Sequence, residues 1–311
     1  MDSSLKPGIN HIEFWVSDLG QTMRFYNSFL PLIGWKQISD VSFSNGSMVM
    51  LRSELHADVF ESKGIEIRIG NYDDLESMIN AFEGIGILYF VSGPDLEGRL
   101  VQHKNVVAAA IQAKVGHVVY TSFSRKDGHE NHPLLTLAQG HIIAEDAIRA
   151  SAIPYTILLN NYYMEVIPLF VGENILTGKN IFFPASDGKS GFIARRDIAE
   201  LSAEILTTPG HENEVYEASG EVAYTFEEVA QLISEVSGTK IDYVSPTEIN
   251  FENTLKKYGV PQTGIEISIL SARAIVEGEF EKTSDTFRRI TGKEPVSLPD
   301  FLKELYGAKL K

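Results

Sequence analysis

Two residues suited to acid–base chemistry lie four positions apart in a helical pattern. His141 and Glu145 fall within residues 134–151, and residues spaced by four share one face of a helix. An imidazole changes charge near neutral pH, so His141 could transfer a proton during a reaction. The alternative is a partly buried histidine that pairs with Glu145, since no second catalytic group is evident beside them.

Further polar or small residues follow the apolar segments that we predict to be strands. They are Arg52 after residues 48–51, Asn71 and Tyr72 after 65–69, Ser92 and Gly93 after 87–91, and Asn160 after 155–159. The carboxyl ends of parallel strands form the edge at which ligands bind. The guanidinium of Arg52 suits a phosphate because it donates two parallel hydrogen bonds. Each residue also has an alternative interpretation. Arg52 could be an ordinary surface arginine, and Asn71 and Tyr72 could be turn residues. Ser92 and Gly93 could simply end a strand, and Asn160 could serve only in packing.

The positions of these residues in the fold are set by an alternation of strands and helices that begins near residue 48. Beyond the strands named above, residues 117–122 form another apolar segment, and helical patterns cover about 74–83, 97–114 and 134–151. Strands joined through helices imply parallel pairing. After residue 165 the strand signals become sparse. We therefore predict an α/β fold, a Rossmann-like doubly wound parallel sheet with a smaller C-terminal α/β lobe.

The first 45 residues form a different pattern. Residues 11–17 predict a strand that takes the place of the first strand of the sheet. Asp18 with Gln21 predicts the start of a helix. Residues 35–50 predict a β-hairpin that turns at Asn45-Gly46, because Asn-Gly favours the tight turns of hairpins. The fold therefore has an atypical N-terminal βα segment.

Composition excludes several classes of protein. The chain has 311 residues, of which 43% are hydrophobic and 22% charged, so it can bury a large core. It has no cysteine, which excludes disulfides and thiolate nucleophiles. Its net charge of −15 opposes general binding to nucleic acid. We found neither a membrane-spanning segment nor a secretory signal, and expect a cytoplasmic protein of unknown oligomeric state.

Residues from about 48 to 311 resemble the NmrA-like branch of the atypical short-chain dehydrogenases, in particular its NAD(P)H:quinone oxidoreductases and triphenylmethane reductases. The resemblance is carried by eight segments in order and spacing. They are GIEIRIGNYDD (64–74), VSGP (91–94), QHKNVVAAA (102–110), HVVYTS (117–122), HIIAEDAI (141–148), IPYTILLN (153–160) and RDIA (196–199), followed by 225–238.

This resemblance implies an oxidoreductase that binds NADP, with NAD as the alternative, and passes a hydride to a quinone-like or aromatic small molecule. Arg52 is then expected at the adenosine ribose or its 2′-phosphate, Asn71 and Tyr72 near the adenine, and Ser92 and Gly93 along the dinucleotide. His141 would anchor the nicotinamide ribose or move a proton. Asn160 would bind the carboxamide or a substrate oxygen. The Tyr/Lys pair of ordinary short-chain dehydrogenases does not occur on the helix 134–151.

Residues 8–45 instead resemble the first βα unit of the glyoxalase/bleomycin-resistance family. We therefore divide the chain into a substituted segment (1–45), an NAD(P)-binding core (46–165) and a substrate-binding lobe (166–311). His11 matches that family's first metal ligand, but the partner half is not found. His129, Glu130 and His132 lie in a polar loop that does not converge them on one point. No metal is expected.

The phosphate-binding turn is the weakest part of the pattern. NmrA-like proteins carry a Gly-rich turn after the first strand, but residues 16–23 contain only Gly20, beside the carboxylate of Asp18. Gly20 is either an ordinary loop glycine or the remnant of a phosphate loop. The alternatives to an enzyme are therefore a non-catalytic dinucleotide-sensing regulator and an inactive chimera.

We expect a Gly-rich turn restored at residues 17–23 to raise dinucleotide affinity about tenfold or more, on the order of 1.4 kcal/mol. Glycines would let the backbone approach the pyrophosphate, and loss of Asp18 would remove a like charge. Calorimetric titration of both proteins with NADPH measures the change. Tight binding by the unmodified chain would contradict this interpretation.

Overall fold

The computed structural model describes residues 9–13, 36–39, 42–44, 48–51, 66–93, 98–126, 135–172 and 174–307. The chain forms two compact units. The first comprises Met1–Phe123, Thr136–Leu159 and Ala199–Tyr216, and the second comprises Ser124–Leu135, Asn160–Ile198 and Glu217–Lys311. The three predicted segments, 1–45, 46–165 and 166–311, stay a prediction.

The strands are short. They are β1 (Ile9–Glu13), β2 (Lys36–Ser39), β3 (Ser42–Ser44), β4 (Met48–Leu51), β5 (Glu66–Ile69), β6 (Ile87–Val91), β7 (His117–Phe123), β8 (Tyr155–Asn160), β9 (Asn180–Phe182), β10 (Lys189–Ser190), β11 (Glu214–Ala218), β12 (Tyr224–Thr225) and β13 (Asp242–Val244).

Seven of these strands form one sheet in the order β11-β8-β7-β6-β1-β4-β5. The pairs β1–β4, β4–β5, β1–β6 and β6–β7 are parallel. From β1 the chain first builds outward through β4 and β5 and then returns to the other side of β1 with β6. This reversal is the topological switch point at which such sheets bind ligands. The predicted α/β fold with a parallel sheet is confirmed.

The N-terminal segment confirms one prediction and corrects another. β1 occupies the place of the first strand, although it begins at Ile9 rather than at residue 11. The predicted hairpin with a turn at Asn45-Gly46 is wrong. The hairpin joins β2 to β3, and β4, which follows Asn45-Gly46, pairs in parallel with β1 and β5. Pairing within the sheet has overridden the local turn signal.

The helices lie between and after the strands. They are α1 (Leu75–Ala81), α2 (Arg99–Gln112), α3 (Leu135–Ala150), α4 (Ile167–Val171), α5 (Ile175–Gly178), α6 (Arg195–Thr207), α7 (Phe226–Ser237), α8 (Glu248–Lys257), α9 (Gln262–Val276), α10 (Thr286–Thr291) and α11 (Leu298–Tyr306), with a short 3-10 turn at Met164–Val166. No helix in the described part of the chain is long and apolar enough to cross a membrane.

The core of the first unit lies on the central strands. β6 and β7 bury their inner residues on both faces, as their continuously apolar sequences predict. Phe90 and Tyr120 pack ring against ring at 4.7 Å between centroids, and Tyr72 meets Phe90 edge to face at 5.7 Å. These aromatic contacts hold the ends of β6 and β7 together.

The second unit has an aromatic core of its own. Phe183 contacts the rings of Phe170, Phe226 and Phe251, with centroids 4.8 to 5.9 Å apart. α7 begins with a capping box, in which Thr225 and Glu228 satisfy each other's backbone N–H groups, and Gly238 caps its C-terminus.

Asp197 is a buried acidic residue near the start of α6. α6 already begins at Arg195, so Asp197 lies within its first turn. The carboxylate of Asp197 is buried and accepts a hydrogen bond from the backbone N–H of Val296 at 2.8 Å. Asp197 therefore holds a distant segment of the second unit in place.

We expect Thr225→Ala to lower the free energy of unfolding by about 1 kcal/mol, because it removes the oxygen that caps α7. Thr225→Ser is the matched control, since it keeps that oxygen and should retain most of the stability. Urea denaturation of the three proteins measures the difference. Equal losses in both variants would show that the cap does not stabilise α7.

Candidate functional site

The first part of the candidate site is the backbone that follows β6 at the switch point. The Ser92 N–H donates to Thr121 Oγ1 at 3.1 Å, and the buried Gly93 N–H donates to His103 Nε2 at 3.3 Å. The carbonyl of Gly93 accepts from Arg99 Nε at 2.8 Å. Side chains from α2 and β7 therefore hold the two residues that we predicted to lie along the dinucleotide.

His103 is a fully buried imidazole whose hydrogen-bond roles are determined by its partners. Its Nε2 accepts from the Gly93 N–H, so the proton of the neutral ring lies on Nδ1, which donates to the Gly140 carbonyl at 3.2 Å. Burial lowers the pKa of His103 to about 4, a shift that the hydrogen bond to Gly140 opposes and the charge of Arg99 reinforces. His103 is therefore neutral at pH 7.

His141, the predicted catalytic histidine, lies on α3 and is 8% exposed. Its Nδ1 is 2.9 Å from the hydroxyl of the buried Tyr120, and its Nε2 is 3.4 Å from Arg99 Nη1. The contacts described for Glu145 are with Ser122, at 2.5 Å, and with Arg149, at 3.2 Å. His141 is thus surrounded by a tyrosine and an arginine, and its role in catalysis stays a prediction.

The two residues predicted near the adenine have different environments. Asn71 forms a turn in which its Oδ1 accepts from the Asp73 N–H at 3.1 Å. Tyr72 is 2% exposed, and its hydroxyl donates to the Val91 carbonyl at 3.1 Å. Tyr72 therefore packs behind the end of β6, and a direct contact of either residue with a dinucleotide stays a prediction.

Asn160 lies in the second unit, where it ends β8. It is 3% exposed, and its Nδ2 donates to the hydroxyl of Tyr163 at 3.4 Å. Its Oδ1 is buried without a hydrogen-bond partner among the described residues. A buried unsatisfied acceptor is costly, so this oxygen suits a ligand that brings an N–H or O–H group.

Tyr163 and Arg195 form the surroundings of Asn160 in that unit. The guanidinium of Arg195 lies over the Tyr163 ring at 5.0 Å, and both carboxylate oxygens of Glu165 accept from the Arg195 backbone N–H. Burial raises the pKa of Tyr163, while the hydrogen bond from Asn160 and the charge of Arg195 act against that rise. The Tyr163 hydroxyl therefore stays protonated at neutral pH.

Other predicted residues lie outside the described part of the chain. These are Gly20 and Arg52, the loop with His129, Glu130 and His132, and the side chain of His11. Their predicted roles stay predictions.

Three residues of the site were not assigned a role from the sequence. Arg99, His103 and Tyr120 lie on α2 and β7, and they contact His141 or Gly93 through the hydrogen bonds given above. His103 and Tyr120 occur in the segments that carry the family resemblance. A polar residue inside an apolar strand or helix face was the available signal, because such residues are buried only with partners.

Comparison with known proteins shows the family. The profile described as NmrA-like family matches residues 40–298. The chain belongs to the NmrA-like family. The resemblance of residues 48–311 is thereby confirmed, whereas the resemblance of residues 8–45 to the glyoxalase family stays a prediction.

Among characterised relatives, this NmrA-like chain is 28% identical over 264 residues to quinone oxidoreductase 2 of Escherichia coli strain K12. That alignment covers 84% of this chain and 89% of the relative. A triphenylmethane reductase structure from a Citrobacter species, complexed with NADP(H), is 31% identical, with a TM-score of 0.80 and coverage of 94% and 99% of the two chains. The structure of the NADPH-dependent quinone oxidoreductase of Escherichia coli, complexed with NADPH, is 25% identical, with a TM-score of 0.80 and coverage of 96% and 100%.

We expect His103→Gln to make the stability of the protein less dependent on pH. The pKa of this imidazole is 6.5 in the unfolded chain and about 4 in the folded chain. Between these two pH values the unfolded chain binds more protons, so the free energy of unfolding decreases as the pH falls from 6.5 to 4. At about 1.4 kcal/mol for each pKa unit, protonation of His103 lowers the free energy of unfolding by about 3 kcal/mol over this pH range. Denaturant unfolding between pH 7 and 4 measures it.

Lys104→Gln is the control, because Lys104 is an exposed neighbour on the same helix. It should keep the pH dependence of the unmodified protein. An equally steep pH dependence in His103→Gln would contradict the assignment of a neutral buried imidazole.

Proposed function

We propose that this NmrA-like protein is an NADPH-dependent reductase that transfers a hydride to a quinone or to another conjugated small molecule. Its relatives include reductases of quinones and of triphenylmethane dyes, and two of the similar structures hold NADP(H) or NADPH. NADP is therefore the proposed cofactor, with NAD as the alternative.

One observation carries this proposal beyond family membership, namely the ordered backbone at the switch point. Gly93 follows β6 and is held through its N–H by His103 and through its carbonyl by Arg99. An edge held in this way presents the same surface to every incoming ligand, so less ordering is needed on binding. His141 is held in the same network, which gives the proposed cofactor path an adjacent titratable group.

The residues present also fit the chemistry of a nicotinamide. The buried Oδ1 of Asn160 can accept from the carboxamide N–H, which would satisfy it. Arg52, as predicted from the sequence, would contact the 2′-phosphate through its guanidinium. The alternative for Asn160 is a hydrogen bond to a substrate oxygen through its Nδ2.

A nicotinamide cofactor supplies the hydride, so the protein contributes binding, orientation and protons. The proposed role of His141 is to hold a proton at the ring nitrogen Nε2 and, in its charged form, to give it to the reduced substrate oxygen. The proposed role of Asn160 is orientation. Conjugated acceptors need little further acid–base chemistry, which is consistent with the lack of the Tyr/Lys pair on the helix 134–151.

The regulator hypothesis has less support. The chain resembles the structure of a negative transcriptional regulator with 12% identity and a TM-score of 0.65, a likeness that shows the fold alone. The characterised relatives with higher identity are oxidoreductases.

We expect the purified protein to bind NADPH more tightly than NADH, and Arg52→Ala to weaken NADPH binding more than NADH binding, because only NADPH carries the 2′-phosphate. Titration followed by nicotinamide fluorescence measures both affinities. Lys257→Ala, at an exposed position of α8, is the control for loss of a positive charge. Equal weakening of both cofactors by Arg52→Ala would refute its role.

Turnover is tested by the loss of NADPH absorbance in the presence of a small quinone. We expect His141→Gln to lower kcat about a hundredfold, within the range for loss of a general acid, and to leave NADPH affinity within a few fold. The proposed function would be refuted if neither the unmodified protein nor the variant with a restored Gly-rich turn bound or oxidised NADPH.

A further inference from the structure

Arg195 carries an exposed positive charge near the end of β8. It is the first residue of α6, and its guanidinium lies over the ring of Tyr163, 5.0 Å from the centroid. Among the described residues the guanidinium has neither a hydrogen-bond acceptor nor an ion-pair partner. The next residue, Arg196, is instead paired with Glu304 at 3.3 Å. Stacking on a ring leaves the N–H groups at the edge of a planar guanidinium available, so Arg195 can still bind an anion.

Glu165 holds the backbone of Arg195 rather than its guanidinium. Both carboxylate oxygens of Glu165 accept from the Arg195 backbone N–H, at 3.1 and 3.2 Å. Burial raises the pKa of Glu165, and its hydrogen bonds and the charge of Arg195 act against that rise. Glu165 therefore fixes the start of α6, from which the guanidinium extends, and does not occupy the N–H groups of that guanidinium.

The Tyr163 hydroxyl adds a neutral donor beside this charge. Its oxygen accepts from Asn160 Nδ2 at 3.4 Å, and its own proton has no acceptor among the described residues. A hydroxyl that accepts one hydrogen bond can still donate another. Burial raises the pKa of Tyr163, so the proton is present at neutral pH. A guanidinium and a phenol O–H that both lack acceptors suit the oxygen atoms of an anionic group.

An acidic ligand needs such a local cation in this protein. The chain has a net charge of −15, so its average field repels anions. Asn160 connects the cation to the proposed position of the nicotinamide. Its amide holds Tyr163 through Nδ2, while its buried Oδ1 has no hydrogen-bond partner in the part of the chain that the structure describes.

We propose that Arg195 and the Tyr163 hydroxyl bind an acidic group of the substrate. The substrate is then a conjugated acceptor that carries a carboxylate, a sulfonate or an ionised hydroxyl group. This inference rests on the proposed function, in which Asn160 binds the nicotinamide carboxamide and the substrate lies next to it. Arg195 is a specificity-determining residue in this arrangement, and Asn160 positions the Tyr163 hydroxyl.

Two naphthoquinones that differ in charge test the inference by turnover. 1,4-Naphthoquinone-2-sulfonate is a permanent anion, and 2-methyl-1,4-naphthoquinone is neutral. With either one, a hydride from NADPH and a proton convert the quinone to the hydroquinone and leave NADP+. We expect Arg195→Gln to raise KM for the sulfonate about tenfold or more, as for loss of a charge-assisted hydrogen bond. KM for the methyl compound should change less than about twofold.

Arg196→Gln is the matched control, because it removes the same charge from the neighbouring exposed residue. It should leave both KM values within about twofold. Tyr163→Phe should raise KM for the sulfonate more than KM for the methyl compound, since only the sulfonate accepts from the hydroxyl. Added NaCl should raise KM for the sulfonate in the unmodified protein and have little effect in Arg195→Gln. Turnover of the methyl compound shows that each variant is folded.

Calorimetric titration with 1,4-naphthoquinone-2-sulfonate in the absence of NADPH measures the anion site by itself. We expect Arg195→Gln to weaken this binding about tenfold or more, and Arg196→Gln to weaken it less than about twofold. If the binding depends on Arg195 but the protein does not oxidise NADPH, the proposed function fails and the anion site stands.

Two results would overturn the anion site while the proposed function stands. The first is turnover of the methyl compound together with the same KM for the sulfonate in the unmodified protein and in Arg195→Gln. The second is weaker NADPH binding in Arg195→Gln with unchanged binding of the sulfonate, because Arg195 would then bind a phosphate of the cofactor.

Discussion

The hydrogen bond from the Gly93 N–H to the buried Nε2 of His103 is the interaction on which the geometry of the candidate site depends. It requires His103 to be neutral, and the burial of the ring ensures this by lowering the pKa to about 4. It also determines which nitrogen of His103 carries the proton. The Tyr120 hydroxyl lies 3.4 Å from His103 Nδ1 and 2.9 Å from His141 Nδ1, so this backbone contact at the end of β6 is linked through Tyr120 to a residue on another helix.

This network explains why polar residues are tolerated in the interior of the first unit. His103 and Tyr120 are fully buried, and each has partners that satisfy it. Removing one partner would leave a buried donor or acceptor unsatisfied, which costs more than the net value of the hydrogen bond itself. The network is consequently rigid. Rigidity is useful at the switch point of the sheet, where the proposed cofactor would meet fixed groups.

The second unit, considered by itself, holds a different kind of group. Asn160 ends a buried strand with an oxygen that has no hydrogen-bond partner in the described part of the chain, while Tyr163 and Arg195 pack around it. A site of this kind is more stable with a ligand than without one. The NmrA-like family membership and the reductases among the relatives are in accord with a dinucleotide and a small conjugated substrate as the ligands.

The sequence by itself determined the fold class and most of the strands, because continuously apolar segments such as 87–91 bury both faces of a parallel sheet whatever their surroundings. It also selected His141, Gly93 and Asn160 as candidates from their places after strands or on one helix face, and their roles stay predictions. It failed at the N-terminus, where local turn chemistry at Asn45-Gly46 predicted a hairpin. The family profile begins at residue 40, yet β1, which precedes it, is an interior strand of the sheet, between β6 and β4. Only the tertiary structure decided that arrangement, because strand pairing is a long-range choice that local propensity does not encode. For the same reason only the tertiary structure brought Arg99, His103 and Tyr120 to His141. The proton positions of such a cluster depend on distances between groups 17 to 42 residues apart in the chain.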